Sequence, residues 1–246
     1  MESLEGKVAW VTGAGTGIGQ AIACALAANG VTVVLSGRRE NPLRETADMI
    51  AEADGEALIE ALDVTDVDAV NDVAETIDRK FERLDILVNN AGINVANRHW
   101  DKADLSAWDD LIKTNVNGIC YCVAATLPIM RRQRDGLIVN ISSWAGRYNT
   151  HIAGIPYGPS KHAVLSLNAS INMEESVNGI RACAICPGEV ATPILDRRPK
   201  PPSAEERAKM LQPEDLAETV LFLARMPPRA CLNEILISPT DNRLYR

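Results

Sequence analysis

The chain has 246 residues, of which 46% are hydrophobic and 24% charged, enough for one large α/β unit with a sizeable core. A formal charge of −8 argues against nonspecific nucleic-acid binding, while leaving room for a local basic pocket that holds a small anion. No apolar run of about 20 residues is long enough to span a bilayer, and the opening "MESLEGK" has neither the basic n-region nor the h-region of a signal peptide. A soluble, cytoplasmic protein is the default expectation.

In chain order, "KVAWVTGAG" reads as a strand ending in glycine and "IGQAIACALAANG" as a helix closed by Gly30. The strand "VTVVLSGRR" follows, then the helix "NPLRETADMIAEADG", with Pro42 near its start and Gly55 past its end. "EALIEALDVTD" is predicted as a third strand, "VDAVNDVAETIDRKFE" as a helix and "LDILVNNAG" as a strand. One long helix is expected over "SAWDDLIKTNVNGICYCVAATLPIMRR", and "GLIVNISS" is expected to be a strand. The helix "YGPSKHAVLSLNASINMEES" and the strand "IRACAICPG" come next, and the series closes with "QPEDLAETVLFLARM" as a helix and "NEILISP" as a strand. This alternation predicts a single domain over residues 1–246, a doubly wound parallel sheet of Rossmann type with helices on both faces. The Pro- and charge-rich stretch "TPILDRRPKPPSAEERAKML" breaks the rhythm and is expected to be a mobile excursion.

Six cysteines raise the question of metal or redox chemistry. Cys183 and Cys186 have C-x-x-C spacing but sit in a strand-like apolar run with no second ligand pair, so they are assigned to the core and no metal site is expected. Cys120 and Cys122 are assigned likewise.

"TGAGTGIG", residues 12–19, falls where the first strand meets the first helix, which in an open α/β sheet is the place for a pyrophosphate. The spacing is G-x-x-x-G-x-G, from Gly13, Gly17 and Gly19, and no Gly-Lys-Ser/Thr ends the loop as a Walker sequence would. At the end of the second strand, where a carboxylate would favour NAD, Gly37 is followed by Arg38 and Arg39, whose guanidinium groups suit a 2′-phosphate. NADP is favoured over NAD, although Thr16 stands where a second basic residue would help. In "YGPSK", Tyr157 and Lys161 are four positions apart and so share a helix face. A cation about 4 Å from a phenol at an effective dielectric near 20 favours phenolate by up to about 4 kcal/mol, before the desolvation of the lysine is subtracted. That pull is expected to bring proton exchange by Tyr157 toward neutral pH.

"TGAGTGIG", "LDV", "NNAG", "NVNG", "NISS", "YGPSK" and "PGEVATP" occur in one order along nearly the whole chain. In this the sequence resembles the short-chain dehydrogenase/reductase (SDR) family. The resemblance implies an NAD(P)-dependent oxidoreductase that moves a hydride between an alcohol or ketone and the nicotinamide, with Asn115, Ser143, Tyr157 and Lys161 as catalytic tetrad. It implies cofactor contacts from the loop residues Gly13, Thr16, Gly17, Ile18 and Gly19, and from Arg38 and Arg39. Asp63 and Val64 would lie at adenine, and Asn90, Ala91 and Gly92 at ribose together with Tyr157 and Lys161. Pro187, Gly188, Val190 and Thr192 would lie toward the nicotinamide. Ser143 precedes Tyr157 by fourteen residues, one more than the commonest spacing, which keeps Ser142 as a rival. "NEILISPT" and "GRR" resemble NADP-dependent members that act on hydroxy acids and serine.

The segment "WAGRYNTHIAGIP" is expected on the substrate side, with Arg147, Tyr148 and His151 either binding substrate or lying on the rim. "DRRPK", residues 196–200, could attract an anionic substrate, but a solvated charge run is the favoured reading. Residues 193–212 would form the substrate loop, and a homodimer or homotetramer is expected, as is common in the family. Two alternatives stay open, a cofactor-binding regulatory protein and an epimerase or dehydratase on the same fold.

Overall fold

The computed structural model describes residues 2–198 and 200–242. Its strands are β1 (Val8–Thr12), β2 (Thr32–Ser36), β3 (Ala57–Ile59), β4 (Ile86–Asn89), β5 (Gly136–Ile141), β6 (Ile180–Pro187) and β7 (Glu234–Ile237). They form one sheet, all parallel, in the order β3-β2-β1-β4-β5-β6-β7. The chain winds outward from β1 in both directions, so the direction reverses between β1 and β4 and leaves a crevice beyond their C-terminal ends, where open α/β sheets bind ligands.

The helices are α1 (Gly17–Ala27), α2 (Glu40–Glu52), α3 (Val67–Phe81), α4 (Leu105–Ile112), α5 (Gly118–Gln133), α6 (Tyr157–Glu175), α7 (Ala204–Ala208) and α8 (Pro213–Ala224). Alternation along β1 divides the core. Ala9 and Val11 face α1 and α8 in one cluster with Ile22, Leu26, Leu216 and Val220, whereas Val8 and Trp10 face α3, α5 and α6 with Val70, Ile77, Ile119 and Val164. Both faces are covered, which explains why β1, β4 and β5 are buried at every position.

Three predicted elements differ. The third strand keeps only Ala57–Ile59 of the predicted run, because it is an edge strand paired on one side with β2. The single long helix is interrupted by a π-turn over Lys113–Asn117 between α4 and α5. The predicted excursion contains defined structure, a 3-10 turn at Pro193–Arg197 and then α7, whose Ser203 and Glu206 form a reciprocal capping box. Cys122, Cys183 and Cys186 are buried as predicted, but Cys120 is only partly so, and Cys24 and Cys231 are partly buried and exposed. Among the described residues no helix is long and apolar enough to cross a membrane.

Candidate active site

The ends of β1 and β4 are stapled together over the crevice. Thr12 Oγ1 donates to the Val88 carbonyl at 3.2 Å and accepts from the backbone N–H groups of Asn90 and Ala91 at 3.0 and 3.1 Å. Asn90 Nδ2 returns bonds to the carbonyls of Thr12 and Gly13 at 3.0 and 3.1 Å. Behind this staple stands Gly19, where a Cβ would fall 2.3 Å from the Gly13 oxygen and 2.4 Å from Asn90 Nδ2, so no larger residue fits. Gly13 and Gly17 have φ of +64° and +59°, a conformation that glycine adopts without strain.

The crevice suits a dinucleotide on its own terms. The N-cap of α1, Thr16, makes no side-chain cap bond, and no acidic residue lies in the first turn, so the N–H groups and positive dipole end are left for an anion. Arg38 and Arg39 stand exposed at the far end of the same cleft. Arg38 meets Asp63 at 3.9 Å with both side chains largely in solvent, a weak pair that an incoming phosphate can replace.

The cleft has a volume of about 380 Å³ and runs from Arg38 and Asp63 past Gly13 and Gly92 to Tyr157 and Arg198. Every predicted site residue lines it except two, Gly19 and Asn115. Asn115 lies on the π-turn, fully buried, and grips the backbone of Ile93 from both sides, Oδ1 accepting from its N–H at 2.8 Å and Nδ2 donating to its carbonyl at 3.0 Å. The π-turn is what turns this amide inward, and such turns recur at functional sites.

Tyr157 opens α6 and Lys161 follows one turn later, with Nζ 5.6 Å from the phenol ring centre. Lys161 is buried and donates to the Ile141 carbonyl at 2.8 Å. Ser143 lies two residues beyond β5, accepts from the Ala145 N–H at 3.1 Å and hydrogen-bonds the phenol oxygen. Its rival Ser142 turns away and donates to the Lys161 carbonyl at 2.9 Å. The geometry therefore gives Ser143 the place beside Tyr157.

The expected lowering of the phenol by Lys161 is not what the site produces. Burial pushes Tyr157 above its ordinary value, and the opposing influences are the Ser143 hydrogen bond and the positive charges of Arg98 and Arg198. Burial also lowers Lys161, to about 8. The lysine suffers desolvation as the phenol does, whereas two arginines outside the motifs, Arg98 and Arg198, act on the reacting oxygen.

Arg198 is paired with Glu189 at 2.6 Å, with side chains 15% and 9% exposed. It does not belong to a solvated charge run, although Asp196 and Lys200 are exposed; the Arg197 side chain and Pro199 lie outside the described residues. Arg147, Tyr148 and His151 are exposed and off the cleft, Arg147 meeting Glu234 at 3.4 Å and Tyr148 packing on Trp144. Thr150, Ile152 and Ala153 line the cleft in their place.

A parallel sheet with a glycine cradle at its switch point, and a Tyr–Lys pair one helical turn apart over the same cleft, is the arrangement of a dinucleotide-binding oxidoreductase. Residues 7–202 match the short chain dehydrogenase family model, and the chain belongs to that family. It is 36% identical over 241 residues to an uncharacterized oxidoreductase of Staphylococcus saprophyticus, covering 97% of this chain and 100% of the relative. Among solved structures it resembles a metagenomic short-chain oxidoreductase in complex with NADP, with a TM-score of 0.84 and 32% identity over 97% of this chain and 99% of that one. It also resembles the serine dehydrogenase of Escherichia coli, with a TM-score of 0.81 and 28% identity over 94% and 97% of the two chains.

Proposed function

We propose that this chain is an NADP(H)-dependent dehydrogenase or reductase of alcohols and ketones, with residues 1–246 acting as one domain and 193–212 as its substrate loop. The observation that carries the reading is the continuity of one cleft from Arg38 and Arg39, past the glycine cradle, to Tyr157 with Ser143 and Lys161 beside it. When bound, the nicotinamide cofactor supplies the hydride acceptor in oxidation and the donor in reduction. Ser143 holds the substrate oxygen next to the Tyr157 hydroxyl. In oxidation Tyr157 takes the hydroxyl proton as the carbinol carbon gives up its hydride, and in reduction it returns the proton to the carbonyl oxygen. Asn115 positions the loop at Ile93 and Lys161 holds ribose hydroxyls. The resemblance to an oxidoreductase solved with NADP and to a serine dehydrogenase supports the cofactor and puts hydroxy acids among the substrates to screen. The test is a panel of alcohols, hydroxy acids and ketones followed by NADPH absorbance; no turnover by any of them would sink the reading.

Arg38→Ala is expected to weaken NADP(H) binding by about 10- to 100-fold, the worth of one or two charge-assisted bonds to a 2′-phosphate, and to leave NAD(H) within a few-fold. Calorimetric titration of both cofactors checks it, and equal losses would remove Arg38 from the phosphate.

We also propose a homo-oligomer. Support comes from apolar side chains left in solvent at Leu105 on α4, Met173 on α6 and Val177 beyond it, beside a sheet already covered on that face. Light scattering at micromolar concentration is expected to give the mass of a dimer or tetramer, and a monomeric mass would overturn it.

A further inference from the structure

At the end of the cleft that holds Tyr157, the charged side chains on the wall besides Lys161 are Arg98, Arg198 and Glu189. Arg198 and Glu189 answer each other at 2.6 Å. Arg98 has no carboxylate partner among the described residues. It is half-buried, and its Nε and Nη1 donate to the carbonyls of Val95 and Ile152, which fixes the plane of the guanidinium and leaves Nη2 uncommitted among the described residues. The wall is shaped around it. Gly154 has φ of +89°, and a Cβ there would lie 2.8 Å from Arg98 Cγ, so glycine makes room for the arginine stem.

A half-buried guanidinium with no counter-charge among the described residues is partly desolvated at a cost that an incoming anion offsets. Its planar fork matches a carboxylate better than a point charge does. We infer that the substrate carries a carboxylate, and that Arg98 anchors it so that the carbinol or carbonyl carbon falls at Tyr157. This deepens the dehydrogenase reading and rests on it. The substrate class is a short hydroxy acid and its oxo acid. Oxidation takes a hydride from carbon to NADP and the hydroxyl proton to Tyr157, leaving a carbonyl, NADPH and one proton. Burial and the neighbouring Arg198 both disfavour the charge on Arg98, while the phenol favours it. A substrate carboxylate acts in the same direction as the phenol and offsets that cost.

The experiment compares short α- and β-hydroxy acids and their oxo acids with the corresponding methyl esters, which keep the reacting carbon and remove the charge. The free acids are expected to exceed their esters by about 100-fold or more in kcat/KM, mostly through KM, because a charge-assisted bond in a half-buried site discriminates on that scale. In Arg98→Gln the acid-to-ester ratio is expected to collapse to within a few-fold, and in Arg98→Lys a substantial part of it returns. Equal use of acids and esters by the unaltered protein would overturn the anchor while leaving the dehydrogenase reading in place, as would a preference for phosphorylated or sulfonated alcohols over carboxylates. A ratio unchanged in Arg98→Gln would also overturn it. Absence of turnover with every acid, ester and neutral ketone would instead remove the reading beneath it. The comparison in the unaltered protein decides the matter even if Arg98→Gln does not fold.

Discussion

Replacing Tyr157 with phenylalanine is expected to lower turnover by about 10²-fold or more while NADP(H) affinity stays within a few-fold. The substitution keeps the ring and its packing at the start of α6 and removes one oxygen. That oxygen is the group hydrogen-bonded by Ser143 and faced by Arg98 and Arg198, so its loss takes away the proton exchange and little else. The pH dependence adds a second signature. Burial raises the phenol above its ordinary value, so at neutral pH Tyr157 holds its proton and is ready to donate to a carbonyl oxygen. Alcohol oxidation needs the deprotonated form. Its rate is expected to climb by about tenfold per pH unit while the pH lies below the phenol's value, whereas carbonyl reduction declines only as that value is passed. Tyr157→Phe is expected to lose the alkaline climb together with the rate. Steady-state kinetics in both directions from pH 6 to about 10 make the measurement, and turnover like that of the unaltered protein would show that the phenol is a packing residue.

The parts of the site that the sequence made legible are those that follow a fixed local period. Tyr157 and Lys161 meet because a helix brings i and i+4 together, and the glycine cradle is recognisable because a strand must turn into a helix there with an open N-terminus. Both survive in the structure with their predicted neighbours. What was missed depends on chain segments without a period. Arg98 lies in the irregular stretch between β4 and α4, where nothing in the spacing separates a cleft residue from a rim residue. The charged neighbours of Arg198 in sequence favour a solvent-facing side chain; its partner Glu189 sits across the turn after β6, and only the path of the loop brings the two to 2.6 Å. The π-turn at Asn115 is hidden for another reason. Its residues continue the helical pattern of apolar positions on both sides, and one extra residue in the turn alters which way the amide points without altering composition. The tuning of Tyr157 differs from the expectation because the burial of the phenol itself, which an estimate correcting only for the lysine's desolvation leaves out, outweighs the neighbouring charges.

Lys161→Met is expected to abolish most turnover while making the cofactor-free protein relatively more stable as pH falls. The ammonium is buried, 4% exposed, and burial lowers it from 10.5 to about 8. That drop corresponds to about 3 kcal/mol of cost for carrying the charge in the folded state. Below pH 8 both folded and unfolded chains hold the proton, and the folded state bears the full cost. Between about 8 and 10.5 the folded chain releases its proton while the unfolded chain retains it, so the unaltered protein gains stability with rising pH. Above 10.5 the lysine is neutral in both states and the cost is gone. Methionine has a similar length and no charge, so the advantage of the variant is greatest below pH 8 and fades through that window. A second effect is independent of pH. The Ile141 carbonyl loses its 2.8 Å donor, which costs about 1 to 3 kcal/mol and offsets much of the gain at neutral pH. The diagnostic quantity is therefore the slope. Denaturant unfolding of both proteins at pH 7 and at about pH 9.5, inside the window over which the proton is lost, should show the stability difference moving against the variant by about 2 kcal/mol. A difference that does not change with pH would mean that Lys161 carries no buried charge, and retained turnover would mean that it holds neither ribose nor the environment of Tyr157.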